Sequence, residues 1–345
     1  MNFNIKILSN SLESAIQHKI NMKTKPVSSL GILEATALKI GLIQHTKTPI
    51  LTKPTIIVFA GDHGIAIRGE VNPYPQIVTQ QMVHNFLRGG AAINSFCTQN
   101  KIDLKIVDAG VNHDFENKEE LIDCKIDYGT KNYQEEPAMS MDQCKTAIEK
   151  GVKIVTETKE NGCNIIGFGE MGISNSSAAS LLMSYFTKIP IEECVGAGTG
   201  VQMQAMKVKK RILSEVFKKY NPSSPLEALA TFGGFEIAMI TGAILRAAEL
   251  QMTIMIDGYI VTAALLVANA MNENVLDYCV FSHTSEEQGH PKMLAFLEKK
   301  TLLSLEMRLG EGTGVAVAYP IIEAAIAFLN NMASFEEAGV SESDD

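Results

Sequence analysis

The sequence predicts an α/β protein with a Rossmann-like, mostly parallel sheet and helices on both faces. Three observations carry this. A continuous apolar run rich in branched residues stands at 55–60, the composition of a strand buried on both faces, and further strand-like runs recur at 103–109, 164–168, 252–256 and 277–281. Segments of helical length and period separate them, which is the βαβ alternation of a covered parallel sheet. Polar residues framed by glycine or serine stand directly after the runs: Asp62 and His63, Glu170, Asp257, Ser282 and His283, and Glu311. In such a sheet the C-terminal strand ends share one edge, so these groups should converge on one crevice.

Taken in order, residues 1–22 read as a short amphipathic helix, broken by Lys23-Thr-Lys-Pro26. Ser28 and Ser29 offer an N-cap for a helix through Gln44, with Leu30, Leu33, Ala37 and Ile40 on one face. The strand at 55–60 ends in Gly61-Asp-His-Gly64. Helices follow at about 77–87 and 91–97, then the strand at 103–109. Residues 111–140 are polar and turn-rich and read as a surface excursion. An amphipathic helix covers 142–158, and the strand at 164–168 runs into Gly169-Glu-Met-Gly172. An Ala/Leu-rich helix, the turn Val195-Gly-Ala-Gly-Thr-Gly200 and a lysine-bearing helix come next. After the helix at 236–250 come the strand at 252–256, an apolar helix at 260–271, and the strand at 277–281. A helix near 291–298 leads to strand-like residues 302–307, the loop Arg308-Leu-Gly-Glu-Gly-Thr-Gly314, and a long apolar helix from Val315 to Met332.

The 345 residues suffice for a large core, and 46% hydrophobic with 20% charged residues describes a globular chain. A net charge of −9 argues against nucleic-acid or membrane-surface partners. The apolar run 260–270 is too short to span a bilayer, and the first residues carry no signal-peptide pattern. Six cysteines without a C-x-x-C pair read as reduced, mostly buried thiols of a cytoplasmic protein. Residues 341–345 read as a disordered tail.

The glycine loops at 169–172, 198–200 and 310–314 can present backbone N–H groups to an anion such as phosphate. None is a Walker A sequence, and none has the dinucleotide spacing with an acid about twenty residues on, so neither ATP hydrolysis nor hydride transfer is indicated. Glu170 and Glu311 are carboxylates in such loops. Either one is a general base, or each simply favours a helix N-terminus. On spacing alone Lys209 reads as part of a solvated face with Lys207 and Lys210. Asp62, His63, His283 and His290 raise a metal site, but no H-x-x-x-H or H-x-x-E-H spacing supports one.

Together these loops are specific. Gly61-Asp-His-Gly64, Tyr74-Pro-Gln with Val78-Thr79 and Gln81-Met82, Asn85 to Ile93, Gly169-Glu-Met-Gly-Ile173, Val195-Gly with Gly198-Thr-Gly200, Gly233-Gly-Phe-Glu236, Asp257-Gly258 and Arg308 to Gly314 occur in one order. Over nearly its whole length the chain resembles the nicotinate-nucleotide–dimethylbenzimidazole phosphoribosyltransferase family of cobalamin assembly. The resemblance implies transfer of the phosphoribosyl group of nicotinate mononucleotide to 5,6-dimethylbenzimidazole or a related base, with inversion at C1′. The products are α-ribazole 5′-phosphate and nicotinate. It implies a homodimer, no metal and no organic cofactor. It further implies a small helical domain from residues 1–45 and about 315–340 beside a large α/β domain at 50–314.

Carried over residue by residue, the resemblance makes Glu311 the general base. Glu170, Met171, Gly172, Gly198, Thr199, Gly200, Lys209, Asp257, Gly258, Ser285 and Gly312 become nucleotide or phosphate contacts, which reverses the surface reading of Lys209. Asn72, Tyr74 and Gln81 become base contacts. The chain departs from the family at Ala197, at Gln202 to Gln204, and at Asn72, where the family has a small serine. The departure at Asn72 bears on which base is accepted. Two other readings compete: a metal-dependent phosphohydrolase using Asp62, His63 and His283, and a non-catalytic nucleotide sensor. Glu311 argues against the sensor, because binding alone needs no base.

Overall fold

The computed structural model describes residues 1–116, 120–196 and 203–341. Seven strands form one sheet: β1 (Thr55–Gly61), β2 (Asp103–Gly110), β3 (Leu121–Asp123), β4 (Ile165–Met171), β5 (Thr253–Ile256), β6 (Cys279–Thr284) and β7 (Thr301–Ser304). The order is β3-β2-β1-β4-β5-β6-β7, and every pairing is parallel. The order reverses between β1 and β4, the switch point where doubly wound sheets open a crevice.

The helices are α1 (Glu13–Asn21), α2 (Ile32–Ile43), α3 (Ile77–Leu87), α4 (Ala92–Asn100), α5 (Met141–Glu160), α6 (Asn175–Thr187), α7 (Ile191–Cys194) and α8 (Met203–Lys219). They continue with α9 (Pro225–Phe232), α10 (Phe235–Glu249), α11 (Tyr259–Met271), α12 (His290–Phe296), α13 (Thr313–Asn331) and α14 (Phe335–Ala338). Successive strand residues point to opposite faces. Ile57 and Phe59 of β1 therefore join the core under α5, α6, α10 and α11. Ile56, Val58 and Ala60 join the core under α3, α4 and α13. Both cores are apolar, which is why β1 reads as an unbroken apolar run rather than an alternating one.

The chain ends meet in a third core, where Ile16, Ile20 and Ala37 of α1 and α2 pack against Ala325 and Leu329 of α13. The same α13 carries Val315, Ala316 and Tyr319 beneath the sheet, so one helix links the strand-end loops to the terminal helices. Thr313–Asn331 is long and apolar enough to cross a membrane by length and composition. More than half of it is buried inside the fold, as a core helix requires.

Three expectations need correction, the first being the cap of α2, a helix that starts at Ile32 behind Gly31 and not at Ser28 or Ser29. Residues 1–9 are not helical, and the helix starts at Glu13 after a 3-10 turn at Asn10–Leu12. Instead, Ile5 is buried in the core. The excursion at 111–140 also contributes the edge strand β3, paired with Ile106 to Asp108. The tail residues 342–345 lie outside the described residues.

Candidate active site

A cavity of about 350 Å³ opens at the C-terminal ends of β4, β5 and β6. It is walled by Glu170, Met171 and Gly172 after β4, by Asp257 and Gly258 after β5, by His283 and Ser285 after β6, and by Arg308 to Glu311. Asn72, Tyr74, Val78 and Met82 close another side.

Glycines let the Glu311 loop reach the sheet. A Cβ at Gly169 would overlap the backbone of Glu311 and Gly312, and one at Gly167 would overlap the Val315 side chain. The loop therefore lies flush on β4. Gly310, Glu311 and Gly312 are all left-handed, with φ of 86°, 63° and 81°. For glycine that conformation is free, but for Glu311 it costs about 1–2 kcal/mol. The turn is closed from within by the Thr313 N–H and hydroxyl, which both donate to Gly310 O at 3.0 and 2.7 Å. From outside, Asp257 accepts the N–H groups of Gly312 at 3.2 Å and Val315 at 3.3 Å.

Glu311 is 6% exposed, and its Oε2 has no hydrogen-bond partner among the described residues. Burial, helped by the Asp257 charge, raises its carboxyl to about 7. That value suits a base working near neutral pH. Glu170 is buried to the same extent, 6% exposed. Burial raises it to about 8 against the Asn175 side-chain amide that donates to it, and the nearby carboxylates Asp257, Glu236 and Glu311 push the same way. Both acids in the cavity are thus shifted toward the neutral form by burial and by neighbouring carboxylates.

The opposite wall suits an anion. Ser174, Asn175 and Ser176 line the cavity at the start of α6, a helix whose N-terminal amides and dipole favour negative charge. The buried Ser174 Oγ has no partner among the described residues. Lys209 of α8 is 2% exposed, and its Nζ donates to Ser176 Oγ at 3.1 Å. Burial lowers its pKa to about 8, and Glu287 works against that shift. A cation held dry beside a helix N-terminus is the complement of a phosphate.

The cavity thus collects Glu311, Glu170, Met171, Gly172, Lys209, Asp257, Gly258, Ser285, Asn72 and Tyr74. Gly312 sits just behind it as the N-cap of α13. Gln81 is exposed on α3 and lies off the cavity wall. Helical phase explains this: α3 turns Val78 and Met82 to the cavity and Thr79, Val83 and Phe86 to the core, leaving Gln81 to solvent. Gly198, Thr199, Gly200, Ala197 and Gln202 lie outside the described residues. Arg308, Leu309, His283 and Glu287 also line the cavity. His283 and Arg308 were visible as strand-end and loop residues, while nothing in the spacing marked Glu287.

Asp62 and His63 lie behind the wall. His63 Nε2 contacts Glu236 Oε1 at 2.6 Å with both side chains fully buried. The His63 carbonyl accepts from the Gln76 amide at 3.1 Å, and Asp62 Oδ2 accepts from Asn112 N at 2.8 Å. His283 faces Asp257 at 3.6 Å. Among the described residues no three His, Cys, Asp or Glu side chains gather as a metal site. The residues of the phosphohydrolase reading are thus split, with Asp62 and His63 behind the cavity wall and His283 on it.

A parallel sheet whose strand ends gather a buried base and an anion-ready helix start defines a group-transfer site for a phosphorylated substrate. A family model described as phosphoribosyltransferase matches residues 5–340, and the chain belongs to that family. It is 50% identical to the nicotinate-nucleotide–dimethylbenzimidazole phosphoribosyltransferase of Aromatoleum aromaticum, over 99% of both chains. The enzyme of the same name from Dechloromonas aromatica is 52% identical, again over 99% of both. The crystal structure of CobT from Thermus thermophilus matches with a TM-score of 0.93 at 35% identity, covering 96% of this chain and 99% of that one.

Proposed function

We propose that this enzyme transfers the 5-phosphoribosyl group of nicotinate mononucleotide to 5,6-dimethylbenzimidazole or a related base. Glu311 is the general base. It takes the N–H proton of the azole as the other ring nitrogen attacks C1′. The new N–C1′ bond forms as the bond to the pyridinium nitrogen breaks, and nicotinate leaves with a neutral ring nitrogen that needs no acid. Attack opposite the leaving group inverts C1′ from β to α.

The observation that carries this reading is the pairing, in one cavity, of a buried carboxylate poised near 7 with a buried lysine at a helix N-terminus. The phosphate is assigned to Lys209, Ser174 and Ser176, and the azole to the side formed by Asn72, Tyr74, Val78 and Met82. Glu170, Met171, Gly172, Gly258 and Ser285 are assigned to the nucleotide between them. The homodimer and the cytoplasmic location implied by the resemblance belong to the same reading, as does the division into a small domain at 1–45 and about 315–340 and a large one at 50–314. The third core between the chain ends supports that division. Sedimentation of the purified protein tests the dimer.

The test of the activity is direct. Purified protein is mixed with nicotinate mononucleotide and dimethylbenzimidazole, and nicotinate release is followed by chromatography. Release that depends on the added base is expected. Its absence overturns the proposal.

A further inference from the structure

Asp257 does more than line the cavity. It is 2% exposed, and each of its oxygens already accepts an amide from the Glu311 loop, Oδ2 from Gly312 and Oδ1 from Val315. The first amide belongs to the last of three consecutive left-handed residues, and the second to the first turn of α13. A non-glycine residue stays in that conformation only where its surroundings over-determine it. The bonds from Thr313 to Gly310 are internal to the turn. Among the described residues, Asp257 supplies the side-chain hydrogen bonds that tie 310–315 to the sheet. The fit is close: a Cβ on Gly314 would overlap the His283 ring and lie 2.6 Å from Asp257 Oδ1.

We propose that Asp257 is a positioning residue for Glu311, pinning the Gly310–Gly312 turn to the end of β5 and setting its negative charge against the Glu311 carboxyl, rather than a ligand of the transferred nucleotide. This rests on the reading of Glu311 as general base. Other charged or titratable groups face the same cavity: Glu170 from β4, His283 from β6, Lys209 from α8, Glu287 from the loop after β6, and Arg308 from the turn itself. After burial, Asp257 is what raises the Glu311 carboxyl. Removing its charge therefore makes Glu311 lose its proton at lower pH.

Asp257→Asn keeps the shape and removes the charge. The acid limb of kcat/KM is expected at lower pH than in wild type. The value of kcat at pH 8 falls by about ten-fold or more as the turn loosens, while KM for nicotinate mononucleotide stays within about two-fold. A KM raised about ten-fold with the limb unmoved is the signature of a nucleotide ligand and overturns the proposal. A second readout needs no turnover. The infrared carboxyl band of Glu311, isolated by subtracting each protein's Glu311→Gln counterpart, is titrated without substrate. A midpoint equal in wild type and Asp257→Asn overturns the proposal even in an inactive protein. Absent nicotinate release by wild type instead overturns the assigned reaction. Asp257→Ser, with the same expected direction, replaces the Asn variant where that one does not fold.

Discussion

Gly169→Ala puts one methyl group where β4 and the Glu311 loop touch. The added Cβ meets the Glu311 carbonyl carbon and oxygen and the Gly312 nitrogen, all backbone atoms. Carbon atoms rest about 3.5–4.0 Å apart, so the loop must withdraw by about 1 Å. Overpacking of this kind costs about 1–3 kcal/mol of stability. A misplacement of about 1 Å at reacting groups costs on the order of 10²-fold in rate. The assay is nicotinate release under saturating substrates, with a melting curve beside it. The expected result is a folded protein with a modestly lower Tm and kcat down about 10²-fold. Gly339→Ala is the control, since it forces a left-handed alanine where nothing lies within 4 Å. It should cost about 1 kcal/mol and leave kcat unchanged. If Gly169→Ala keeps wild-type kcat, the loop does not have to lie flush on β4 and the reasoning fails.

Three further outcomes are expected. Glu170 is raised to about 8 in the folded state, above its unfolded carboxylate range, so the folded protein holds a proton that the unfolded chain releases. Its contribution is fully present below the unfolded pKa, near 4.5, and fades as pH rises to about 8. The Tm of Glu170→Gln relative to wild type should therefore be higher at pH 8 than at pH 5, and an identical difference at both pH values contradicts it. Lys209→Met should raise KM for nicotinate mononucleotide about 10–100-fold, since a charged hydrogen bond is worth about 1.5–3 kcal/mol. An unchanged KM removes the phosphate from this wall. Asn72→Ser should alter the ranking of benzimidazole, purine and phenol acceptors in a competition assay, and an identical ranking in both proteins refutes a specificity role for Asn72.

The sheet was legible because its physics is local. Ile56 to Ala60 serve two apolar cores at once, so the strand appears as an unbroken apolar run. The strand β3 was not legible, since three residues at an edge, with only Leu121 buried, carry no period. Glu311 and its glycines were legible as a loop. That Glu311 itself is left-handed was not, because the constraint comes from Gly169 and Asp257, far away in sequence. Lys209 shows the limit of charge patterning: Lys207 is exposed and Lys210 half-buried, yet Lys209 between them is buried against Ser176. Gln81 was carried over with its motif without regard to helical phase, which places Val78 and Met82 on the cavity wall instead.

The central claim is that one carboxylate on a strained turn deprotonates the acceptor. Its most direct test compares wild type with Glu311→Gln, measuring nicotinate mononucleotide binding by calorimetry and nicotinate release under single-turnover conditions. The account predicts equal binding and a rate for the variant lower by about 10²–10⁴-fold. A variant that binds the nucleotide and releases nicotinate at the wild-type rate contradicts it.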